Sequence, residues 1–121
     1  MSLVIAGYAV PHAAILAPMS GVTDWPFRRA VRRCGGGLVV TEMIASAAVL
    51  RDVRSEMRKL KTEAKSEAPL SIQLAGWEPL VMAEAAKICA DLGATFIDIN
   101  MGCPAKKVTG IMQMLSPPHK E

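Results

Sequence analysis

Aromatic residues are scarce in this chain, with two Trp, one Tyr and two Phe among 121 residues. Ala, Val, Leu, Ile and Met therefore carry most of an apolar content of 51%. That content is sufficient for a packed core and excludes a disordered chain. Its aliphatic character suits buried parallel strands covered by helices. Cysteine is also sparse: there are three, an odd number, and no Cys-x-x-Cys pair. A disulfide framework or a zinc site is not expected from that spacing. His12 and His119 have no neighbours that suggest metal binding or catalysis. No apolar run of about 18 residues occurs, so no membrane span is expected. The first charged residue is Asp24, which gives the start of the chain a superficial likeness to a secretory signal. A basic leading segment is lacking, and Gly7 and Pro11 interrupt the apolar run. A reduced, cytoplasmic setting is the expectation. The net charge of +3 is well short of the footprint of a stand-alone nucleic-acid binder. The length fits one domain or part of one.

The apolar residues that are present fall into a repeating order. Leu3 to Ala6 and Ala9-Val10 read as a small hairpin around Gly7-Tyr8. Ala14 to Ala17 reads as a first buried strand, closed by Pro18. Gly21 to Asp24 supplies a turn with capping residues, and Pro26 suits a first helical turn. Phe27, Ala30, Val31 and Cys34 then share one face at helical spacing, with Arg28, Arg29, Arg32 and Arg33 around the rest as a solvated face. Gly35-Gly36-Gly37 ends that helix. Leu38 to Thr41 is a second strand and Ala45 to Leu50 a short helix. Residues 51–67 alternate in charge and read as a solvated helix and loop, with Met57 and Leu60 turned inward. Leu70 to Leu74 is a third strand. Val81, Ala85, Ile88 and Leu92 form the stripe of a helix ending at Gly93, and residues 94–99 are a fourth strand. Helices are expected to bury Cys34 and Cys89. Strands alternating with helices imply parallel pairing through right-handed crossovers.

Polar residues gather where these strands end. Met19 follows the first strand, Glu42 the second, Gln73 lies late in the third, and Asn100 and Cys103 follow the fourth. Ligands bind at such ends in barrels and in open α/β sheets alike. Ala17-Pro18-Met19-Ser20-Gly21 is not a Gly-x-Gly-x-x-Gly loop, so a dinucleotide site of the doubly wound type is not expected. Cys103 sits in a polar turn between Gly102 and Pro104, placed for chemistry more than for packing. Lys106 and Lys107 flank it and suit phosphate contact. Glu42 reads as a supporting carboxylate.

The segments Ala17-Pro18-Met19-Ser20-Gly21-Val22-Thr23-Asp24-Trp25-Pro26-Phe27-Arg28, Thr41-Glu42-Met43, Gln73-Leu74 and Asp98-Ile99-Asn100-Met101-Gly102-Cys103-Pro104-Ala105-Lys106-Lys107-Val108 together resemble the tRNA-dihydrouridine synthases, most of all their bacterial B branch. The resemblance runs from about Leu3 to Gly110. It implies an α/β fold that is the N-terminal half, about four strands, of a (β/α)8 TIM barrel. It also implies FMN as cofactor, NADPH as reductant and uridine in tRNA as substrate, saturated across C5–C6. By resemblance Ala17, Pro18 and Met19 line the flavin, Gln73 bonds the polar edge of the isoalloxazine, and Asn100 orients the uracil. Cys103 would be the proton donor to C5, with Lys106 and Lys107 toward the tRNA. A positioned acid suits the charge left by hydride transfer, and a neutral thiol with a pKa near ~8.5 can serve.

The resemblance is lost after Gly110. Residues 1–110 are expected to be the half-barrel and 111–121 a divergent tail, of the kind a truncation or frameshift produces. In this fold the phosphate site forms after strands seven and eight, so the chain is expected to be an incomplete, inactive fragment. Two further expectations stand beside this one. Unpaired edges at the first and fourth strands invite self-association into a non-catalytic assembly. A fragment of another flavin barrel, such as a dihydroorotate dehydrogenase, is the second.

Overall fold

The computed structural model describes residues 2–51, 60, 61 and 63–102. Met57, Cys103, Lys106, Lys107 and the tail 111–121 lie outside the described residues. The chain opens with an antiparallel hairpin of β1 (Leu3–Ile5) and β2 (Tyr8–Val10). Its two-residue turn is Ala6-Gly7, both at positive φ, the combination that matches strand twist in a tight hairpin. Val10 is fully buried, and Tyr8 meets Phe96 edge-on at 5.5 Å between ring centroids.

Three βα units and a further strand follow. β3 (Ile15–Leu16) leads to α1 (Trp25–Arg33), and β4 (Leu38–Val40) leads through β5 (Ile44–Ala45) to α2 (Ser46–Leu50). Residues 60, 61 and 63–66 are helical and precede β6 (Leu70–Ala75). α3 (Pro79–Asp91) then leads to β7 (Phe96–Asn100). All pairings within this sheet are parallel, in the order β3, β4/β5, β6, β7. Consecutive strands are therefore neighbours, the arrangement of successive βα units curling toward a barrel. The expected α/β fold with its parallel sheet is observed, covering the N-terminal part of a barrel of this kind.

β6 is buried along its whole length, as a central parallel strand must be. Leu70, Ile72 and Leu74 share a core with Val39, Val49, Leu60, Ala64, Ala85 and Cys89, packed between sheet and helices. Full burial of each such aliphatic side chain stabilises by about 1.5–3 kcal/mol. Alternation along the strand puts Ser71 and Gln73 on the opposite, interior face. Burial pushes the Cys89 thiol up to about 11.

The second strand is longer than its apolar run. Between the pairs Val40↔Ser71 and Ile44↔Leu74, one strand advances four residues and β6 three. β4 and β5 are thus one strand carrying a bulge, which bends the chain and re-aims a side chain. The Thr41 N–H still donates to the Ser71 carbonyl (2.9 Å), while the Thr41 hydroxyl oxygen accepts from the Gln73 N–H (3.1 Å) in place of a ladder carbonyl. Beyond the bulge Ile44 packs against the core.

α1 departs from its expected orientation. Its start is as expected: the Asp24 carboxylate accepts from the Phe27 N–H at 3.0 Å, and Pro26 sits in the first turn. Its end is a Schellman closure, with Gly36 N–H on the Val31 carbonyl, Gly35 N–H on that of Arg32, and Gly35 at φ +92°. Yet the arginines are not all solvated. Arg28 is 2% exposed and bridges to Glu67 at 2.7 Å and Glu63 at 2.8 Å, while donating to the Thr23 carbonyl at 2.8 Å. Burial opposes its charge, but Glu67 and Glu63 more than offset this and leave its pKa above the ordinary value. Arg32 donates to the carbonyls of Glu67, Ala68 and Pro69. Burial lowers its pKa, against the pull of Glu67. Arg29 instead lies over the Trp25 ring at 4.7 Å. Phe27 is 39% exposed and Cys34 is exposed, contrary to its expected place in the core. Buried carboxylates on the next helical layer, distant in sequence, set the rotation of this helix, since a buried charge must be paired.

On the outer face of the sheet a cavity of about 630 Å³ lies between β7 and α3, lined by Leu74, Trp77, Met82, Ala86, Ile97 and Ile99, among others. Its walls are apolar, and strand alternation puts it on the opposite face from Gln73 and Asn100.

Candidate active site

The interior face at the C-terminal ends of the strands is where the polar residues meet. Ala17, Pro18 and Met19 follow β3. The Thr23 hydroxyl donates to the Met19 carbonyl (3.1 Å) and its oxygen accepts from the Met19 N–H (3.0 Å). The Val22 and Thr23 N–H groups close on the same carbonyl. This knot leaves the Met19 side chain 41% exposed on a firmly held loop. The bulge supplies a second hold: the Glu42 carboxylate accepts from the Gly21 N–H. Arg28, through the Thr23 carbonyl, supplies a third. Glu42 is therefore a tether between two loops, the supporting carboxylate that its position suggests.

β6 and β7 bring the other polar residues together. Gln73 stands directly opposite Asp98 in the ladder, and Ala75 opposite Asn100. The Gln73 amide nitrogen donates to Asp98 Oδ2. Asn100 Nδ2 donates to Gln73 Oε1 at 3.4 Å and lies 3.6 Å from Met43 Sδ. Asn100 Oδ1 accepts from the Gly102 N–H at 3.0 Å. Gln73 at the centre of this chain of bonds is only 6% exposed, while its Gly102 end lies in solvent. One N–H and one lone pair of the Gln73 amide remain uncommitted by these bonds. A donor beside an acceptor complements an imide edge, such as the pyrimidine ring of a flavin or of uracil. The described residues thus fit one edge of the expected cofactor. Among the described residues no group of three or more His, Cys, Asp or Glu is placed to hold a metal ion.

Of the residues expected at the site, the structure brings Gln73 and Asn100 into contact and ties the Ala17–Met19 loop to the neighbouring strand. Cys103, Lys106 and Lys107 lie outside the described residues. Asp98 and Met43 were not singled out by residue type, although both lie in quoted motifs. The signal for Asp98 was the alternation Phe96-Ile97-Asp98-Ile99-Asn100, which turns 96, 98 and 100 to one face. No such signal exists for Met43, because the bulge shifts the alternation.

A parallel sheet with consecutive strands adjacent and polar side chains collected at its C-terminal ends is the arrangement of one wall of a (β/α) barrel. The sequence model of the dihydrouridine synthases (Dus) matches residues 15–113. A probable tRNA-dihydrouridine synthase of Rhodobacter capsulatus is 60% identical over 96 residues, covering 79% of this chain and 30% of the relative. One from Rhizobium leguminosarum is 57% identical over 102 residues, 84% of this chain and 32% of the relative. The tRNA-dihydrouridine synthase B of Pseudomonas aeruginosa is 51% identical over 109 residues, 89% of this chain and 32% of the relative. The chain belongs to the dihydrouridine synthase family. It spans about a third of the length of these curated relatives.

Proposed function

We propose that this chain forms the first wall of a tRNA-dihydrouridine synthase site, in which the C5=C6 bond of a tRNA uridine is reduced with FMN as cofactor and NADPH as reductant. The observation that carries this reading is the buried Gln73 amide, held between Asp98 and Asn100 at the C-terminal end of the sheet, in a member of this family. FMN, when bound, supplies the hydride. Gln73 would hold the imide edge of the flavin, with Ala17, Pro18 and Met19 against its ring. Asn100 would orient the uracil while bracing the Gly102 backbone. Cys103 would deliver the proton to C5, and Lys106 and Lys107 would meet tRNA phosphates. The setting is cytoplasmic. The described strands supply the flavin's polar edge, and the phosphate site of this fold forms after later strands than these. Family membership sets the dihydroorotate dehydrogenase alternative aside.

Titration with FMN tests the reading. A change in the flavin absorbance or fluorescence that disappears in Gln73→Ala supports it, and no change with either protein removes it. Dihydrouridine formed in tRNA on incubation with FMN and NADPH would support the reading further.

A second reading rests on the sheet edges. Among the described residues β3 pairs only with β4 and β7 only with β6, and open edges invite a second chain. Light scattering that shows a folded monomer would remove this self-association.

A further inference from the structure

We propose that Asp98 is a positioning residue that fixes which end of the Gln73 amide faces which way, and so sets the hydrogen-bonding edge presented to a ligand. The two ends of a glutamine amide are nearly equal in size, so only its partners decide its orientation. An ionised carboxylate accepts and cannot donate. Asp98 Oδ2 therefore draws the Gln73 nitrogen toward itself. The Gln73 oxygen is left to meet Asn100 Nδ2 at 3.4 Å, and the Asn100 oxygen to meet the Gly102 N–H at 3.0 Å. Each bond in this chain runs from a donor to an acceptor. Turning the Gln73 amide over would set oxygen against carboxylate and nitrogen against nitrogen, two mismatches at a residue only 6% exposed. The chain has one direction, imposed from both ends: the Asp98 carboxylate accepts from Gln73 and the Gly102 N–H donates to Asn100, and Asp98 is the end that touches the Gln73 amide directly. The bond to Asp98 is charge-assisted, the strongest class among those in the chain.

An imide offers an N–H between two carbonyls. An amide of fixed orientation meets that edge in one register, and one of free orientation meets it in two. Asp98 thus acts through Gln73 on ligand register. The flavin arm of the test rests on the proposed function; the arm that observes the amide does not.

The test follows the side-chain ¹⁵N–¹H₂ resonances of Gln73 in the whole chain. In the unsubstituted protein the Gln73 amide proton directed at Asp98 Oδ2 should be shifted downfield and protected from exchange. Asp98→Ala should abolish both, with the melting temperature serving as the control for folding. If that variant does not fold, Asp98→Asn keeps the shape and should show reduced shift and protection. Gln73 resonances unchanged in a folded variant would overturn the proposal. In the second arm the probe is lumiflavin, which lacks the phosphate. Asp98→Ala should weaken its binding by about twofold or more, the loss expected when a fixed amide comes to sample two orientations of which one is competent. Equal binding by both proteins would also overturn the proposal. Failure of the unsubstituted chain to bind lumiflavin would count against the flavin reading alone, with the amide resonances still deciding the role of Asp98.

Discussion

Two carboxylate-anchored networks lie on either side of the same sheet, and they differ in kind. In the helical layer, Glu63 and Glu67 close on Arg28, and all three are buried. Opposite charges meet there, and the guanidinium spends its remaining reach on the Thr23 carbonyl. On the interior face, Asp98 anchors neutral amides in a chain that ends on a backbone N–H. That chain keeps a donor and an acceptor to spare. A buried network of paired charges fastens elements together; one with spare valences can receive something. The difference is visible in partner chemistry before any ligand is considered.

The comparison is broken most directly by cutting the fastener. Arg28→Ala removes the guanidinium that bridges the buried Glu63 and Glu67 carboxylates and should cost about 3–5 kcal/mol, read from urea unfolding followed by circular dichroism. A loss below about 1 kcal/mol would mean that the cluster fastens nothing. The next effect also belongs to the helical layer. Burial raises the Cys89 thiol to about 11, above its value in an unfolded chain. The unfolded state therefore gives up its proton first, and stability falls as pH rises from about 9 toward 11, by up to about 2–3 kcal/mol. Cys89→Ala should remove that part of the alkaline slope; an unchanged slope would place its origin elsewhere. On the interior side, Thr41→Val keeps the shape but deprives the Gln73 N–H of its acceptor. A cost of about 1–2 kcal/mol is expected, with weaker flavin binding if the bulge carries the site. The smallest effect sharpens the contrast. Lys87 and Glu84 make an ion pair as close as 3.0 Å, but in solvent. Lys87→Ala should change stability by no more than about 0.5 kcal/mol. A larger loss would show that proximity, rather than burial, governs these pairs.

Much of this could be read from the chain itself. The buried strands β4 and β6 coincide with apolar runs, because a parallel strand covered on both faces needs them. Asp24 and Gly35 mark the ends of α1 because both act locally. Gln73 and Asn100 were placed at the site by strand-end position and motif, and the structure joins them. What could not be read depends on distance in sequence. Glu67 lies far along the chain from Arg28, and its alternating-charge segment looks like a solvated surface until the helices are packed. For the same reason Phe27 and Cys34, apolar in pattern, face outward. The role of Asp98 requires the strand register, which places it opposite Gln73.

The bulge in the second strand has a consequence for how this protein can vary. Glu42 belongs to the one stretch of that strand where the chain carries a residue more than its partner. A substitution there leaves every rung of the sheet in place and alters only the reach from strand to loop. The position works like a set screw: the side chain there holds the loop at Gly21, while the ladder pairs on either side belong to other residues. At this point in the chain, foldability and ligand fit are written on separate residues, and one can be revised without rewriting the other.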